Sequence, residues 1–305
     1  MSIPAKPVKK IIVILGPTAS GKTELALKIA KSLSATASGE IISADSRQIY
    51  RGMNIGTAKP TLKQQRIIPH HLIDIIEPNK NFALSQYKKL AIKKIREIHK
   101  KNKIPFLVGG TGLYIQAIVD NLKIPQVKPN KKIREKLEKI NLPTLLKQLQ
   151  KLDPITAQTI DIHNKRRLIR ALEVCLITKK PFSQQREKGK PLFDILQIGI
   201  KIDKKNLNRK INQRVDEMIE TGLVEEVKSL VKKYSSQLPA MSGIGYREII
   251  QYLDNKISLE YAKNLIKLHT RQYAKRQMTW FKRDKKIKWV KNYQEARKLA
   301  SNFLK

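Results

Sequence analysis

The stretch IIVILGPTASGKT at residues 11–23 decides the fold. Its first five residues are an unbroken apolar run, which is typical of a strand buried on both faces of a parallel sheet. Apolar residues spaced four apart predict a helix over 23–33. The pattern G-x-x-x-x-G-K-[ST] lies between strand and helix and is matched at every fixed position by Gly16, Pro17, Thr18, Ala19, Ser20, Gly21, Lys22 and Thr23. This order of elements predicts a phosphate-binding loop over residues 16–23.

The chemistry of this loop follows from its residue types. Glycines allow backbone N–H groups to approach phosphate oxygens, and the start of a helix adds a partial positive charge. Lys22 offers a point charge to the terminal phosphates, and the hydroxyl of Thr23 can bind Mg²⁺. We therefore expect a bound di- or triphosphate with Mg²⁺ as cofactor. The loop alone leaves open which ester is bound and which bond is broken.

Further short apolar runs lie outward from this stretch, at residues 41–44, 104–108, 196–200 and 287–290, with a basic amphipathic helix at 84–101 and the longest helix at 260–283. Alternating strands and helices predict an α/β fold, a P-loop NTPase-like core with a mostly parallel sheet and a helical insertion. Strand signals disappear between Pro125 and Leu192. We therefore divide the chain into 1–124, the first part of the core; 125–192, the helical insertion; and 193–305, the remaining core and C-terminal helices.

Composition narrows the classes of function. The chain has 305 residues and 63 Lys and Arg against 25 Asp and Glu, a net charge of +38. Such a charge predicts a polyanionic partner, nucleic acid or an anionic membrane surface, although a genomic bias toward lysine would also raise it. The single cysteine, Cys175, excludes a disulfide framework and lies in an apolar helical run, so we expect a buried inert thiol. No apolar stretch has membrane-spanning length, and residues 11–15 are too short for the core of a signal peptide, so we expect a cytoplasmic protein. We also expect a monomer without a membrane partner.

Other candidate residues lie at the ends of the predicted strands. Asp45 ends the second strand, where a carboxylate can hold Mg²⁺, act as a general base or cap the next segment. The small residues at 109–112 form either part of the same site or only a tight turn. His70 and His71 have no acidic or cysteine partner at ligand spacing, which favours a structural pair over a metal site.

Arginines stand out in a chain whose cations are mostly lysine. Arg209 and Arg214 precede a helix break at Gly222. An arginine here has two possible roles: it closes over phosphates as a lid, or it lies on a solvated helix face. Residues 165–170 hold four cations, and residues 270–277 repeat the theme with Arg271 and Lys275. Arginine binds phosphate with two parallel hydrogen bonds and stacks on bases, so both segments are candidates for RNA binding.

Absent motifs exclude some phosphate-binding proteins. No Asn-Lys pair is followed by the Asp of the guanine-reading N-K-x-D motif, and no run of four aliphatic residues ends in the acidic residue of a motor ATPase. A small-molecule kinase remains, as does an enzyme that binds another pyrophosphate compound.

The motifs taken together resemble the tRNA dimethylallyltransferase family in its bacterial form. Beside the phosphate-binding loop they are DSRQIYRGMNIGTAKP at 45–60, PHHLID at 69–74, VGGTGLY at 108–114, RALEV at 170–174, MSGIGY at 241–246 and TRQYAKRQ at 270–277. They follow the family's order over nearly the whole chain. The pattern lacks only a glycine expected after Thr178, where Lys179 stands instead.

The resemblance implies transfer of a dimethylallyl group from its diphosphate to the exocyclic amine of the adenosine 3′ of the tRNA anticodon. It implies that Asp45 is the general base. It also implies that the departing diphosphate is bound by Lys22, Thr23 and a lid arginine, for which Arg214 is preferred to Arg209. The insertion would grip the anticodon stem-loop while the adenine swings out of its stack. Implied contacts to tRNA are Asp45, Ser46, Arg47, Gln48, Thr111, Arg134 (after a one-residue shift in spacing), Arg166, Arg167, Leu168, Ile169 and Arg170.

Three other functions remain open at this point. They are an adenylate isopentenyltransferase, a P-loop nucleotide kinase and a non-enzymatic RNA-binding module. The long basic insertion argues against a free nucleotide as the acceptor, because a mononucleotide needs no domain that grips a loop.

Overall fold

The sheet has six strands, all parallel, in a computed structural model that describes residues 9–32, 38–125, 127–185 and 187–305. The strand order is β3-β2-β4-β1-β5-β6. Their bounds are Lys10–Leu15 for β1, Gly39–Ser43 for β2, His70–His71 for β3, Ile104–Gly109 for β4, Asp194–Ile200 for β5 and Lys288–Val290 for β6. The predicted α/β fold with a mostly parallel sheet is therefore confirmed.

The helices follow the strands in the alternation that the sequence predicts. They are α1 Lys22–Ser32, α2 Leu62–Ile67, α3 Leu84–Lys100, α4 Gly112–Val119, α5 Lys131–Glu138, α6 Leu142–Leu152, α7 Pro154–Thr159, α8 Lys165–Thr178, α9 Lys204–Glu220, α10 Leu223–Lys233, α11 Tyr246–Leu253, α12 Leu259–Phe281 and α13 Tyr293–Leu304. The predicted end of the first helix, Leu33, lies outside the described residues. None of the described helices is both long and apolar enough to cross a bilayer.

The central strands carry the core and bring three loops together. Every side chain from Ile11 to Leu15 is fully buried, because helices cover both faces of β1. In the register, Leu15 pairs with Gly109, and Ser43 pairs with Val108. The carboxyl ends of β1, β2 and β4 therefore meet at one edge of the sheet. The loops that follow these three strands are the ones that the sequence selects as functional.

The helix break predicted at Gly222 is confirmed. Helix α9 ends at Glu220 and α10 begins at Leu223, with Gly222 between them at φ 99°. This left-handed backbone conformation is one that glycine adopts without strain. The break starts a second packed cluster, in which Met53, Leu223 and Tyr246 are buried.

The chain forms two compact units. One ends at Ile118 and resumes from Leu192 to Lys305, and the other spans Val119–Pro191, where the sequence pattern predicts an insertion over 125–192. The second unit has its own core, which includes Leu145, Leu149 and Cys175. Burial raises the pKa of the Cys175 thiol, in line with the buried inert cysteine that we expect.

Candidate active site at the carboxyl edge of the sheet

The phosphate-binding loop joins β1 to α1 as the sequence predicts. Gly21 lies at φ 87°, in the left-handed region, and a Cβ at Gly16 would come within 3.1 Å of Ser20 Oγ. The Ser20 hydroxyl is buried and has no hydrogen-bond partner within the described part of the chain. A buried unpaired hydroxyl is costly, and a ligand oxygen in the loop would relieve that cost. The loop therefore has the features of a phosphate site.

Lys22 and Arg214 give this site its positive charge. Nζ of Lys22 donates a hydrogen bond to the Pro17 carbonyl oxygen at 2.6 Å. Burial and then the charge of Arg214 lower the pKa of Lys22 to about 7, while Asp45 opposes that shift. Burial also lowers the pKa of the Arg214 guanidinium. The fold thus brings Arg214 from α9 into the electrostatic reach of Lys22, whereas Arg209 on the same helix is exposed and lies near Asn206.

Asp45 follows β2 and uses one oxygen to cap a turn. Its Oδ1 accepts the backbone N–H groups of Arg47 at 2.8 Å and Gln48 at 3.4 Å. The charge of Asp45 acts on Lys22 and on the buried phenols of Tyr87 and Tyr114. Asp45 therefore caps the segment that follows it, one of the three roles expected from the sequence. Because only Oδ1 makes these hydrogen bonds, Oδ2 of the carboxylate is left for other chemistry.

Thr111 and Tyr273 complete the surroundings of Asp45. Thr111 Oγ1 accepts the N–H of Ser46 at 3.0 Å and is hydrogen-bonded to the hydroxyl of Tyr273. Burial and then the charge of Asp45 raise the pKa of Tyr273 to about 12. The guanidinium of Arg276 lies 6.0 Å from the centre of the Tyr273 ring. The sequence analysis selects Thr111 but misses Tyr273, although this tyrosine lies within the segment 270–277 that was selected for its cations.

Arg47 and Gln48, both implied as contacts to RNA, bind protein in this structure. The guanidinium of Arg47 donates to the carbonyl oxygens of Pro239 at 2.7 Å and Ala240 at 3.1 Å. Gln48 Nε2 donates to the carbonyl oxygens of Thr57 at 3.3 Å and Ala58 at 3.2 Å. Their side chains therefore hold two neighbouring segments of the chain against the turn that Asp45 caps.

Glu226 is a second anchor that the sequence analysis misses. From α10, its carboxylate accepts the backbone N–H groups of Asn54, Ile55 and Gly56 at 2.8, 2.8 and 3.2 Å. It also accepts the Tyr246 hydroxyl at 2.7 Å. These bonds fix the middle of the segment 45–60. No local pattern signals a contact between residues about 170 positions apart in the chain.

The arginines that the structure describes in the second unit divide into a pair bound to the buried Glu173 and an exposed pair. Glu173 accepts Nε and Nη2 of Arg134, each at 2.8 Å, and Nη1 of Arg170 at 2.6 Å. Arg166 and Arg167 are exposed.

The side chains of the predicted tRNA contacts in this unit differ in their exposure. Leu168 and Ile169 are 0% and 3% exposed, and they pack in the core of the unit, so their side chains have no surface to offer RNA. Arg134 and Arg170 are committed to Glu173. RNA contact by Arg134 and by the segment 166–170 stays a prediction, and Arg166 and Arg167 are its most exposed members.

The protein oxygens available for Mg²⁺ are few. Among the described residues, no group of three or more His, Cys, Asp or Glu side chains is placed to hold a metal ion. His70 and His71 form β3, where they lie 2.7 Å from the Ile68 carbonyl oxygen and from Glu40 Oε2, the contacts of a structural pair. Mg²⁺ commonly binds one or two protein oxygens together with substrate phosphates and water. Thr23, half-buried at the start of α1, fits that pattern.

Comparison with known proteins gives consistent matches. Residues 48–284 match the family model described as IPP transferase. The chain is 47% identical to the tRNA dimethylallyltransferase of Finegoldia magna over 306 residues, which cover 97% of this chain and 96% of that protein.

Solved structures agree. The tRNA isopentenylpyrophosphate transferase of Bacillus halodurans superposes with a TM-score of 0.71 at 37% identity, covering 97% of this chain and 95% of that one. A eukaryotic dimethylallyltransferase acting on tRNA superposes with a TM-score of 0.78 at 29% identity, covering 96% of this chain and 77% of that one.

Proposed function

The chain belongs to the IPP transferase family and is a transferase that modifies tRNA by prenyl transfer, and from this premise we propose which residues carry out the reaction. The donor is dimethylallyl diphosphate, and the acceptor is the exocyclic amine of the adenosine 3′ of the anticodon. The observation that carries the assignment is the convergence of Lys22, Arg214 and Asp45, which interact electrostatically at the carboxyl edge of the sheet.

The phosphate-binding loop holds the leaving group. As the allylic C–O bond breaks, positive charge develops on carbon and negative charge on the diphosphate. Lys22, Arg214 and the loop amides stabilise the diphosphate without having to reorganise, which is an effective form of electrostatic catalysis. Burial disfavours the charged form of both Lys22 and Arg214, and the charge of Arg214 further disfavours the charged form of Lys22. A bound anion would offset both unfavourable terms. Thr23 would hold Mg²⁺, which would supply further positive charge for the stabilisation of the diphosphate.

Asp45 acts as the general base. The exocyclic amine of adenine is a weak nucleophile because its lone pair is delocalised into the purine. As the new N–C bond forms, the amine must lose a proton, and a carboxylate within hydrogen-bond reach accepts it. The turn cap on Oδ1 holds Asp45 in one orientation and leaves Oδ2 for this proton. Ser46 and Thr111 lie beside it and would contact the flipped base.

The second unit binds the anticodon stem-loop. Arg166 and Arg167 lie exposed at the start of α8 and can make bidentate contacts with the RNA backbone. The pairing of Arg134 and Arg170 with buried Glu173 stiffens the helices that present them. We further propose that the enzyme is a monomer, that it uses Mg²⁺ as its cofactor, and that the anticodon stem-loop is the part of the tRNA that it binds.

The acceptor is tested by incubating the protein with radiolabelled dimethylallyl diphosphate and either unmodified tRNA or AMP. We expect label in tRNA and none in AMP. Label found only in AMP would instead assign an adenylate isopentenyltransferase, and ATP consumption without prenyl transfer would assign a kinase.

A matched pair of variants on α9 tests the role of the lid. Arg214→Ala should slow transfer by at least about tenfold because it removes a charge from the diphosphate site. Arg209→Ala removes an exposed cation from the same helix and should leave the rate within about twofold. Equal effects of the two substitutions would show that only the general charge of α9 matters.

A further inference from the structure

Gln277 connects two loops of the candidate active site through a single side-chain amide. It is on α12, 259 residues from Thr18 in the chain, and only 6% exposed. Its Oε1 accepts the backbone N–H of Thr18 at 2.8 Å, and its Nε2 donates to the carbonyl oxygen of Gly110 at 2.8 Å. A flipped amide would place donor against donor and acceptor against acceptor, so these bonds define one orientation.

Each of these contacts bears on a different part of the reaction. Thr18 belongs to the phosphate-binding loop and follows Pro17, whose carbonyl oxygen accepts Lys22 Nζ. Gly110 precedes Thr111, which binds Ser46 beside Asp45. A Cβ at Gly110 would lie 2.2 Å from Gln277 Nε2, so the glycine leaves room for the amide in this position. The amide therefore sets the diphosphate loop and the base-side loop relative to each other.

Helix α12 also carries groups that face outward. Lys275 and Arg276 are exposed, and Arg276 lies over the ring of Tyr273, which is hydrogen-bonded to Thr111. RNA bound to the exposed cations would restrain α12, and Gln277 lies one residue after Arg276 on that helix. All of these residues belong to the same compact unit.

We propose that Gln277 is a positioning residue that couples tRNA binding at α12 to diphosphate binding at the phosphate-binding loop. This inference rests on the proposed function, since it needs both ligands to bind the same chain. Thermodynamic linkage makes the coupling reciprocal: each ligand tightens the binding of the other by the same factor. Gln277 is buried and its amide is bound to Thr18 and Gly110, so it acts through these two residues.

The test measures the dissociation constant of inorganic diphosphate by calorimetry, with and without saturating unmodified anticodon stem-loop RNA. We expect RNA to tighten diphosphate binding at least about fivefold in the unmodified protein. Gln277→Glu keeps an acceptor for Thr18 but loses the donor to Gly110, and Gln277→Ala removes both bonds. The coupling ratio is the dissociation constant of diphosphate without RNA divided by that with RNA. In each variant this ratio should fall to within about twofold of one, and kcat should fall by a larger factor than the KM for tRNA changes.

Gln251→Glu is the matched control, because Gln251 is an exposed glutamine on the neighbouring helix α11. It should keep the full coupling ratio. Thermal unfolding of each variant shows whether it is folded. If the alanine variant does not fold, Gln277→Glu alone carries the coupling test, because glutamate is nearly equal in volume to glutamine.

Unchanged coupling in a folded Gln277→Glu protein would overturn the proposal, as would an absence of coupling in the unmodified protein. Failure of the proposed function is separate from both. It would appear as an unmodified protein that transfers no prenyl group to tRNA.

Discussion

Lys22 makes diphosphate affinity depend on pH in a window where most lysines do not titrate. Burial and the neighbouring Arg214 lower the pKa of Lys22 to about 7, so about half of the free protein carries a neutral Lys22 at that pH. A bound diphosphate beside Nζ favours the charged form and restores the proton. Binding therefore takes up a proton above pH 7, and affinity must fall as the pH rises.

The size of the effect follows from the charged fraction. Between pH 7 and pH 9 the protonated fraction of free Lys22 falls from about one half to about one hundredth, for a pKa of about 7. If the bound lysine stays charged throughout, the dissociation constant rises about fiftyfold over those two pH units. Tyr273 stays neutral in this window because its pKa is about 12. Arg214 stays charged.

Calorimetric titration with dimethylallyl diphosphate at intervals from pH 7 to 9 measures this slope. The last phosphate ionisation is nearly complete above pH 7, since it is centred at about 6 for phosphate esters. Lys22→Arg is the control, because arginine keeps its proton and should give a nearly flat profile. A wild-type affinity that stays constant across this range, or equal slopes for the two proteins, would refute the reasoning. The free protein should also gain stability as the pH rises from 7 toward 10, because the unfolded lysine binds its proton more tightly.

Three further predictions concern the second unit. Lys179 caps the C-terminus of α8 at φ 56°, so Lys179→Gly should raise the free energy of unfolding by about 0.5–1 kcal/mol, measured by urea unfolding. Burial raises the pKa of Glu173, but hydrogen bonds from Arg134 and other donors outweigh it and lower the pKa to about 2. The stability that this network contributes is therefore present above about pH 4.5 and lost as the pH falls toward 2. Glu173→Gln should lower the free energy of unfolding by about 2–4 kcal/mol at pH 7 and make it depend less on acid pH. Urea unfolding at several pH values measures both effects. Replacing Arg166 and Arg167 together with alanine should weaken tRNA binding and reduce its salt dependence by about two counterions, while diphosphate affinity, titrated in parallel, stays unchanged.

The parts of the site that sequence predicts are those whose chemistry is local. The apolar run, the glycine pattern and the helix of residues 11–23 are neighbours in the chain, so their spacing alone predicts the phosphate-binding loop. The short apolar runs that end before Asp45 and Gly109 likewise place two more loops at the same edge of a parallel sheet. Even the glycine missing at position 179 has a structural counterpart, since Lys179 adopts the left-handed conformation that glycine favours.

The parts that sequence does not predict depend on contacts between distant segments. Glu226 reaches Asn54, and Gln277 reaches Thr18, across 172 and 259 residues, and neither side chain lies in a pattern that signals its partner. The segment 165–170 is predicted as a candidate for RNA binding because of its four cations, but helical packing buries Leu168 and Ile169, and Glu173 holds Arg170. Local spacing shows which residues share a face, whereas tertiary packing decides which of those faces meet solvent.

Asp45 carries the central claim, that a carboxylate at the edge of the sheet takes the proton of the attacking amine while the phosphate-binding loop holds the leaving group. Asp45→Asn is the sharpest perturbation, because the amide oxygen can still cap the turn at Arg47 and Gln48 but is a far weaker base. Single-turnover transfer from labelled dimethylallyl diphosphate to unmodified tRNA should slow by about 10²–10⁴-fold, with affinities for tRNA and diphosphate changed by less than about threefold. Transfer at a rate near that of the unmodified protein would contradict the account.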